Sequence, residues 1–118
     1  MRAPESVFRI DKFAVPASAL PDFMPRLRRI EGLLAQQPGC LQNLVLVASD
    51  PSAEFNVLTL VEWEDAPAMT SARVAVQAEY AQEGFDPAAF MRQLGVRADM
   101  GSFERIPAGA RLGAEDAD

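Results

Sequence analysis

The stretch Gln37-Pro-Gly-Cys-Leu-Gln-Asn-Leu-Val-Leu-Val47, followed after a short break by Phe55-Asn-Val-Leu-Thr-Leu-Val-Glu-Trp-Glu-Asp65, decides the fold. Pro38 and Gly39 cannot continue a helix comfortably, so they mark the end of one. The apolar run after them reads as a strand, Ser49-Asp50-Pro51-Ser52 as a turn, and the second run as a strand closing on Glu62-Trp63 just before a new helix. Side chains alternate along a strand. One face of the second run therefore presents Phe55, Val57, Thr59, Val61 and Trp63, and the other presents Asn56, Leu58, Leu60 and Glu62. Leu44-Val-Leu-Val47 is likewise apolar on both sides, which predicts a sheet that needs cover on each face.

Working outward, residues 7–15 have strand composition but change phase: Phe8 and Ile10 alternate with Arg9 and Asp11, and Lys12 then precedes Phe13 and Val15. A bulge, or a switch of buried face, is expected there. Leu20, Phe23, Met24, Leu27, Ile30 and Leu34 recur at spacings of three and four and form one helical stripe. Pro21 suits its first turn, whereas Pro25 predicts an irregular opening turn, and the helix should stop near Gln37. After Trp63, Asp65 is placed as an N-cap with Pro67 behind it, and Met69, Ala72, Val76 and Tyr80 form a narrower stripe. Gly84-Phe85-Asp86-Pro87 repeats the signature and opens a short helix ending at Gly95; residues 98–106 read as the last strand.

The order is βαββαβ, an α+β arrangement in residues 1–106 as a single domain, and the acidic, Pro- and Gly-containing residues 107–118 are expected to be a disordered tail. Right-handed connections put both main helices on one side of the sheet. The other side is then expected to pack on a second copy, to enclose an apolar cavity, or both.

The 118 residues suffice for one core, and 49% hydrophobic with 24% charged residues is an ordinary globular composition. Lys and Arg number 11 against 17 Asp and Glu, a net charge of -6 that opposes binding to nucleic acid or anionic membrane. The densest basic run, Arg26-Leu-Arg-Arg29, is read as the solvated side of the first helix. One cysteine, Cys40, makes no internal disulfide and reads as a small apolar residue; with no signal-like N-terminus, a cytoplasmic protein is expected. The chain has no histidine, which excludes Ser-His-Asp and Cys-His catalysis, His-ligated zinc and a histidine on haem iron supplied by this chain.

The order of elements, with the Pro38-Gly39-Cys40 and Glu62-Trp63 landmarks, resembles the antibiotic biosynthesis monooxygenase family over roughly residues 7–106. The resemblance implies a ferredoxin-like βαββαβ domain with an antiparallel sheet, pairing through its sheets into a homodimer, the dimeric α+β barrel. It implies a monooxygenase, an oxidoreductase that acts on an electron-rich aromatic such as a phenol, anthrone or hydroquinone with molecular oxygen. No metal or flavin is implied, because the deprotonated substrate itself supplies the electrons. The haem-degrading branch uses an asparagine in the first strand and a histidine on the second helix, and this chain departs from it at both places.

For the site, the resemblance puts Trp63 at the wall of a substrate cavity, against the alternative that the indole only packs a core or interface. Thr59 and Asn43 are polar residues inside apolar strands and are candidates to donate to a ligand oxygen, the alternative being that backbone or water satisfies them. Arg73 and Tyr80, seven apart on one side of the second helix, and Arg9 on the first strand are the candidate substrate contacts; an Arg9 to Asp11 surface ion pair is the plain alternative. Three readings follow: a cofactor-independent monooxygenase, a non-catalytic dimer that binds a small apolar ligand or has a stress-related role, and an accessory subunit whose open sheet meets another protein.

Overall fold

The structure, a computed structural model, describes residues 6–106; the expectation of a disordered tail falls on residues outside that range. The elements are β1 (Val7–Ala14), a 3-10 turn at Ala17–Ala19, α1 (Leu20–Ala35), β2 (Cys40–Val47), β3 (Val57–Trp63), α2 (Ala66–Glu83), α3 (Pro87–Leu94) and β4 (Arg97–Glu104). All strand pairs are antiparallel and the order across the sheet is β2-β3-β1-β4, the ferredoxin-like arrangement the βαββαβ pattern predicts. Among the described residues no helix is long and apolar enough to cross a membrane.

The helix ends follow from their capping chemistry. The Asp65 carboxylate accepts from the Ala68 N–H at 2.9 Å and the Asp86 carboxylate from the Ala89 N–H at 3.2 Å, each with a proline in the first turn behind it. Gly84 and Gly95 close α2 and α3 in the left-handed conformation. Pro25 lies inside α1, and the opening irregularity is the 3-10 turn that precedes the helix.

Gly39 explains the Pro-Gly landmark. Its φ is +88°, and a Cβ there would stand 2.7 Å from the Ala68 Cβ at the start of α2, while its carbonyl accepts from the Glu64 N–H at 2.9 Å. The turn after α1 therefore touches the turn before α2, with no room for a side chain. Gly39→Ala is expected to destabilise the fold by about 2 kcal/mol or more, combining the positive φ with the clash, as urea denaturation would read.

β1 corrects one expectation. It pairs without interruption from Val7 to Phe13 with β3 and from Val7 to Ala14 with β4, so the phase change is not a bulge. The register irregularity lies in β2, between Cys40 and Gln42. Beyond β1 the chain is held by a side chain: Asn56 Oδ1 accepts from the Val15 N–H at 2.8 Å, and Asn56 Nδ2 donates to the Val15 carbonyl at 2.9 Å. That amide takes the place of a strand neighbour.

Cross-strand partners share a face, so the register sorts the sheet into rows. On the side away from the helices run Gln42-Glu62-Phe8-Phe103, Leu44-Leu60-Ile10-Gly101 and Leu46-Leu58-Lys12-Asp99. Leu44, Leu46 and Phe103 are exposed, and Glu62 is buried there against Arg105 at 3.2 Å. On the helix side run Cys40-Trp63-Val7-Glu104, Asn43-Val61-Arg9-Ser102, Val45-Thr59-Asp11-Met100 and Val47-Val57-Phe13-Ala98. The apolar core divides accordingly. One cluster gathers Phe13, Val57, Phe23 and Leu27, the other Val7, Val61, Trp63 and Ala72.

Candidate active site

Between those two clusters the helix side of the sheet carries polar side chains, and the layer opens into a cavity of about 480 Å³. Its volume lies within the roughly 300–1,000 Å³ typical of small-molecule sites. β1, β2, β3 and β4 supply the floor through Arg9, Asp11, Asn43, Thr59, Trp63 and Met100; α1 and α2 supply the roof through Leu27, Ile30, Leu34, Met69, Ala72 and Val76. Phe85, Phe90 and Met91 add to its lining. The cavity thus lies beneath the helices and not on the open sheet face, where the sequence had left room for one.

All six candidate residues read from the sequence line this one cavity: Trp63, Thr59, Asn43, Arg73, Tyr80 and Arg9. Trp63 is only 2% exposed, in register with Val7 on one side and Cys40 on the other, so the indole both packs the second cluster and borders the void. Asn43 Nδ2 donates to the Glu31 carbonyl at 2.9 Å, which ties β2 to α1 and leaves its second N–H and its carbonyl oxygen for other partners. Thr59 sits beside Asp11 in the next row. Arg73 is exposed at the margin, and Tyr80 is half-buried two turns further along the same side of α2.

Two residues have a larger part than the sequence reading gave them. Arg9 Nε donates to Asp11 Oδ1 at 2.7 Å, with the side chains 32% and 19% exposed, so the pair stands on the cavity floor and not on the outer surface. The Arg9 Nη2 also reaches the Met100 sulfur at 3.4 Å. Burial raises the Asp11 carboxyl above its ordinary value, and the hydrogen bond and charge of Arg9 pull the other way. The signal was present as two opposite charges at i and i+2 of an apolar strand, which must share a face.

Arg26 is the second. It is not on a solvated helix side: its guanidinium lies 3.4 Å from the Phe85 ring centroid and 6.0 Å from that of Tyr80, and its Nη2 donates to Glu83 at 2.9 Å. Arg29 joins the same carboxylate, and the two hydrogen bonds, that of Arg29 first, hold Glu83 below the usual carboxylate range. Burial pushes the Tyr80 phenol up, opposed by the charge of Arg26. Burial also raises the Cys40 thiol, in keeping with its reading as an apolar filler and not a nucleophile.

A ferredoxin-like sheet with a largely apolar cavity under its helices, one indole at the wall and a few polar groups on the floor, defines a small α+β domain with a cavity of small-molecule size. Residues 6–84 match the antibiotic biosynthesis monooxygenase family, and the chain belongs to it. No curated protein matches the chain in sequence. Among solved structures, SnoaB from Streptomyces nogalater, a cofactor-independent oxygenase, is 24% identical, with 93% of this chain and 97% of that one covered and a TM-score of 0.59. A MhuD variant with two manganese protoporphyrin IX molecules bound per active site is 21% identical over 92% of this chain and 99% of that one, TM-score 0.64. A conserved protein from Methanosarcina mazei Go1 is 12% identical over 89% and 97%, TM-score 0.69. At these identities the likeness establishes the fold.

Proposed function

We propose that this protein is a cytoplasmic, homodimeric monooxygenase that oxidises an electron-rich aromatic, a phenol, anthrone or hydroquinone, with molecular oxygen. The observation that carries the reading is the cavity of about 480 Å³, apolar over most of its wall, with polar groups at the middle of its floor and others on the helices above. A fused aromatic ring system needs that distribution: apolar walls for its faces and a few donors for its oxygens. Trp63 forms a wall; Thr59 and Asn43 face the reacting oxygen; Arg9, Arg73 and Tyr80 contact the rest of the substrate. The stoichiometry closes without an outside reductant. An anthrone methylene and one dioxygen give a quinone carbonyl and one water, the substrate losing two hydrogens and gaining one oxygen.

The homodimer rests on the uncovered face. Leu44 and Leu46 are exposed in rows that run on through Leu60 and Ile10 and through Leu58, and Phe103 is exposed beside Phe8 in the row next to them, a largely apolar surface of the kind that marks an interface.

Oxygen uptake with a panel of hydroquinones and anthrones tests the activity. Uptake above the blank, with ligand quenching of the chain's one tryptophan, is expected; quenching without uptake would contradict it. That second pattern belongs to a non-catalytic binding dimer, a reading favoured by one observation, the Asn43 amide already donating to Glu31.

A further inference from the structure

We propose that Asp11 is the proton acceptor of this site: its carboxylate, held on the cavity floor by Arg9, removes the proton from the phenol hydroxyl or anthrone methylene of the bound substrate. The inference rests on the reading above and supplies what that reading lacks, a base. Oxidation by dioxygen begins from the substrate anion, so a proton must leave before an electron can.

The cavity is lined by two carboxylates among the described residues, Asp11 and Glu31. The Glu31 carboxylate is drawn to Arg28 at 3.4 Å, a residue on the exposed side of α1. Asp11 is instead in the middle of the floor, in one row with Val45, Thr59 and Met100, and its charged neighbour is Arg9 at 2.7 Å. The titratable and charged groups that share the cavity with it are Arg9 on β1, Arg26 and Glu31 on α1, and Arg73 and Tyr80 on α2. Arg26 is engaged by Glu83, and burial raises the Tyr80 phenol, which makes it a poorer base at neutral pH. Glu62, the other carboxylate near the sheet centre, is on the opposite face, paired with Arg105.

Arg9 gives the step its electrostatic balance. Before transfer the guanidinium faces the Asp11 carboxylate. After transfer the O–H bond is on Asp11, now neutral, and the negative charge is on the substrate, where the same guanidinium can meet it. The number of charges in the cavity does not change, so no new ion has to be desolvated. Partial burial makes Asp11 a better proton acceptor than a surface aspartate, and Arg9 keeps it ionised enough to act.

Proton removal can be read without oxygen, by following hydrogen–deuterium exchange at the anthrone methylene in deuterated buffer under anaerobic conditions. The wild-type chain is expected to accelerate this exchange. Asp11→Asn should lower the catalysed rate about 100-fold at neutral pH, as general-base removal does, with the deficit shrinking as pH rises towards the point where anthrone ionises unaided. Quenching of Trp63 by anthrone should survive in the variant, showing that the site still forms. An Asp11→Asn chain that binds anthrone and exchanges it at the wild-type rate would overturn the proposal, as would a wild-type chain that binds it without exchange. If Asp11→Asn does not fold, Asp11→Glu decides: a reduced rate is expected from the displaced carboxylate, and an unchanged rate overturns the proposal. Exchange that depends on Asp11 with no oxygen uptake would count against the oxygenase reading alone; oxygen uptake with exchange indifferent to Asp11 would count against this inference alone.

Discussion

Trp63→Ala is expected to destabilise the domain by about 3–5 kcal/mol, the range for truncating a buried aromatic. The indole is 2% exposed and packs with Val7, Val61 and Ala72 in the smaller of the two core clusters. It also borders the cavity, so its removal would open that cluster directly into an existing void of about 480 Å³ instead of leaving a closed hole that neighbours could collapse into. Trp63→Phe should retain most of the stability while weakening anthrone binding by about tenfold, since aromatic pairing contributes roughly 0.5–1.5 kcal/mol beyond area. Urea denaturation followed by circular dichroism reads the first effect, because the variant has no tryptophan to report; calorimetric titration reads the second. A loss under about 1 kcal/mol for Trp63→Ala would mean that the indole does not join wall and core as described.

Leu60→Asp is expected to convert a dimer into monomers, raising the dissociation constant about 1,000-fold or more. Leu60 occupies the middle of the row Leu44-Leu60-Ile10-Gly101 on the uncovered face. In a two-fold dimer the substitution is made twice, and each copy buries an unpaired carboxylate in an apolar interface, which costs several kcal/mol. Val74→Asp is the matched control. Val74 is a similarly apolar residue, 61% exposed, but on α2, so the same change should leave the association untouched. Sedimentation equilibrium distinguishes the two, and a Leu60→Asp chain that still sediments as a dimer would place the interface elsewhere.

The fold was legible because its signals are local. Asp65-Ala66-Pro67 and Asp86-Pro87 mark helix starts through the hydrogen bonds they make, and Pro38-Gly39 marks a turn where a side chain has no space. β1 was harder. Phe8 and Ile10 face the uncovered side while Val7 and Phe13 face the helices, so a regular strand with apolar residues on both faces looks like a strand that slips. The real irregularity, at Cys40 and Gln42, falls in a stretch where the pattern carries no mark. The polar lining of the cavity was legible as a set of misfits, polar residues in apolar strands, which lie between the two apolar clusters. What periodicity could not reveal was company across the chain: Arg26 looks like a solvated helix residue until Glu83 and Phe85, over fifty positions away, meet it.

The central proposal is that the cavity between helices and sheet is where a carbon of an electron-rich aromatic substrate, such as the anthrone methylene, receives an atom of dioxygen. Mass spectrometry of the quinone formed from anthrone by the purified chain under heavy-isotope dioxygen tests it most directly. One labelled oxygen in the product, formed at a rate that scales with protein and falls when Trp63 is replaced by phenylalanine, is the predicted result. Unlabelled quinone, or labelled quinone at the rate of the protein-free blank, would contradict it.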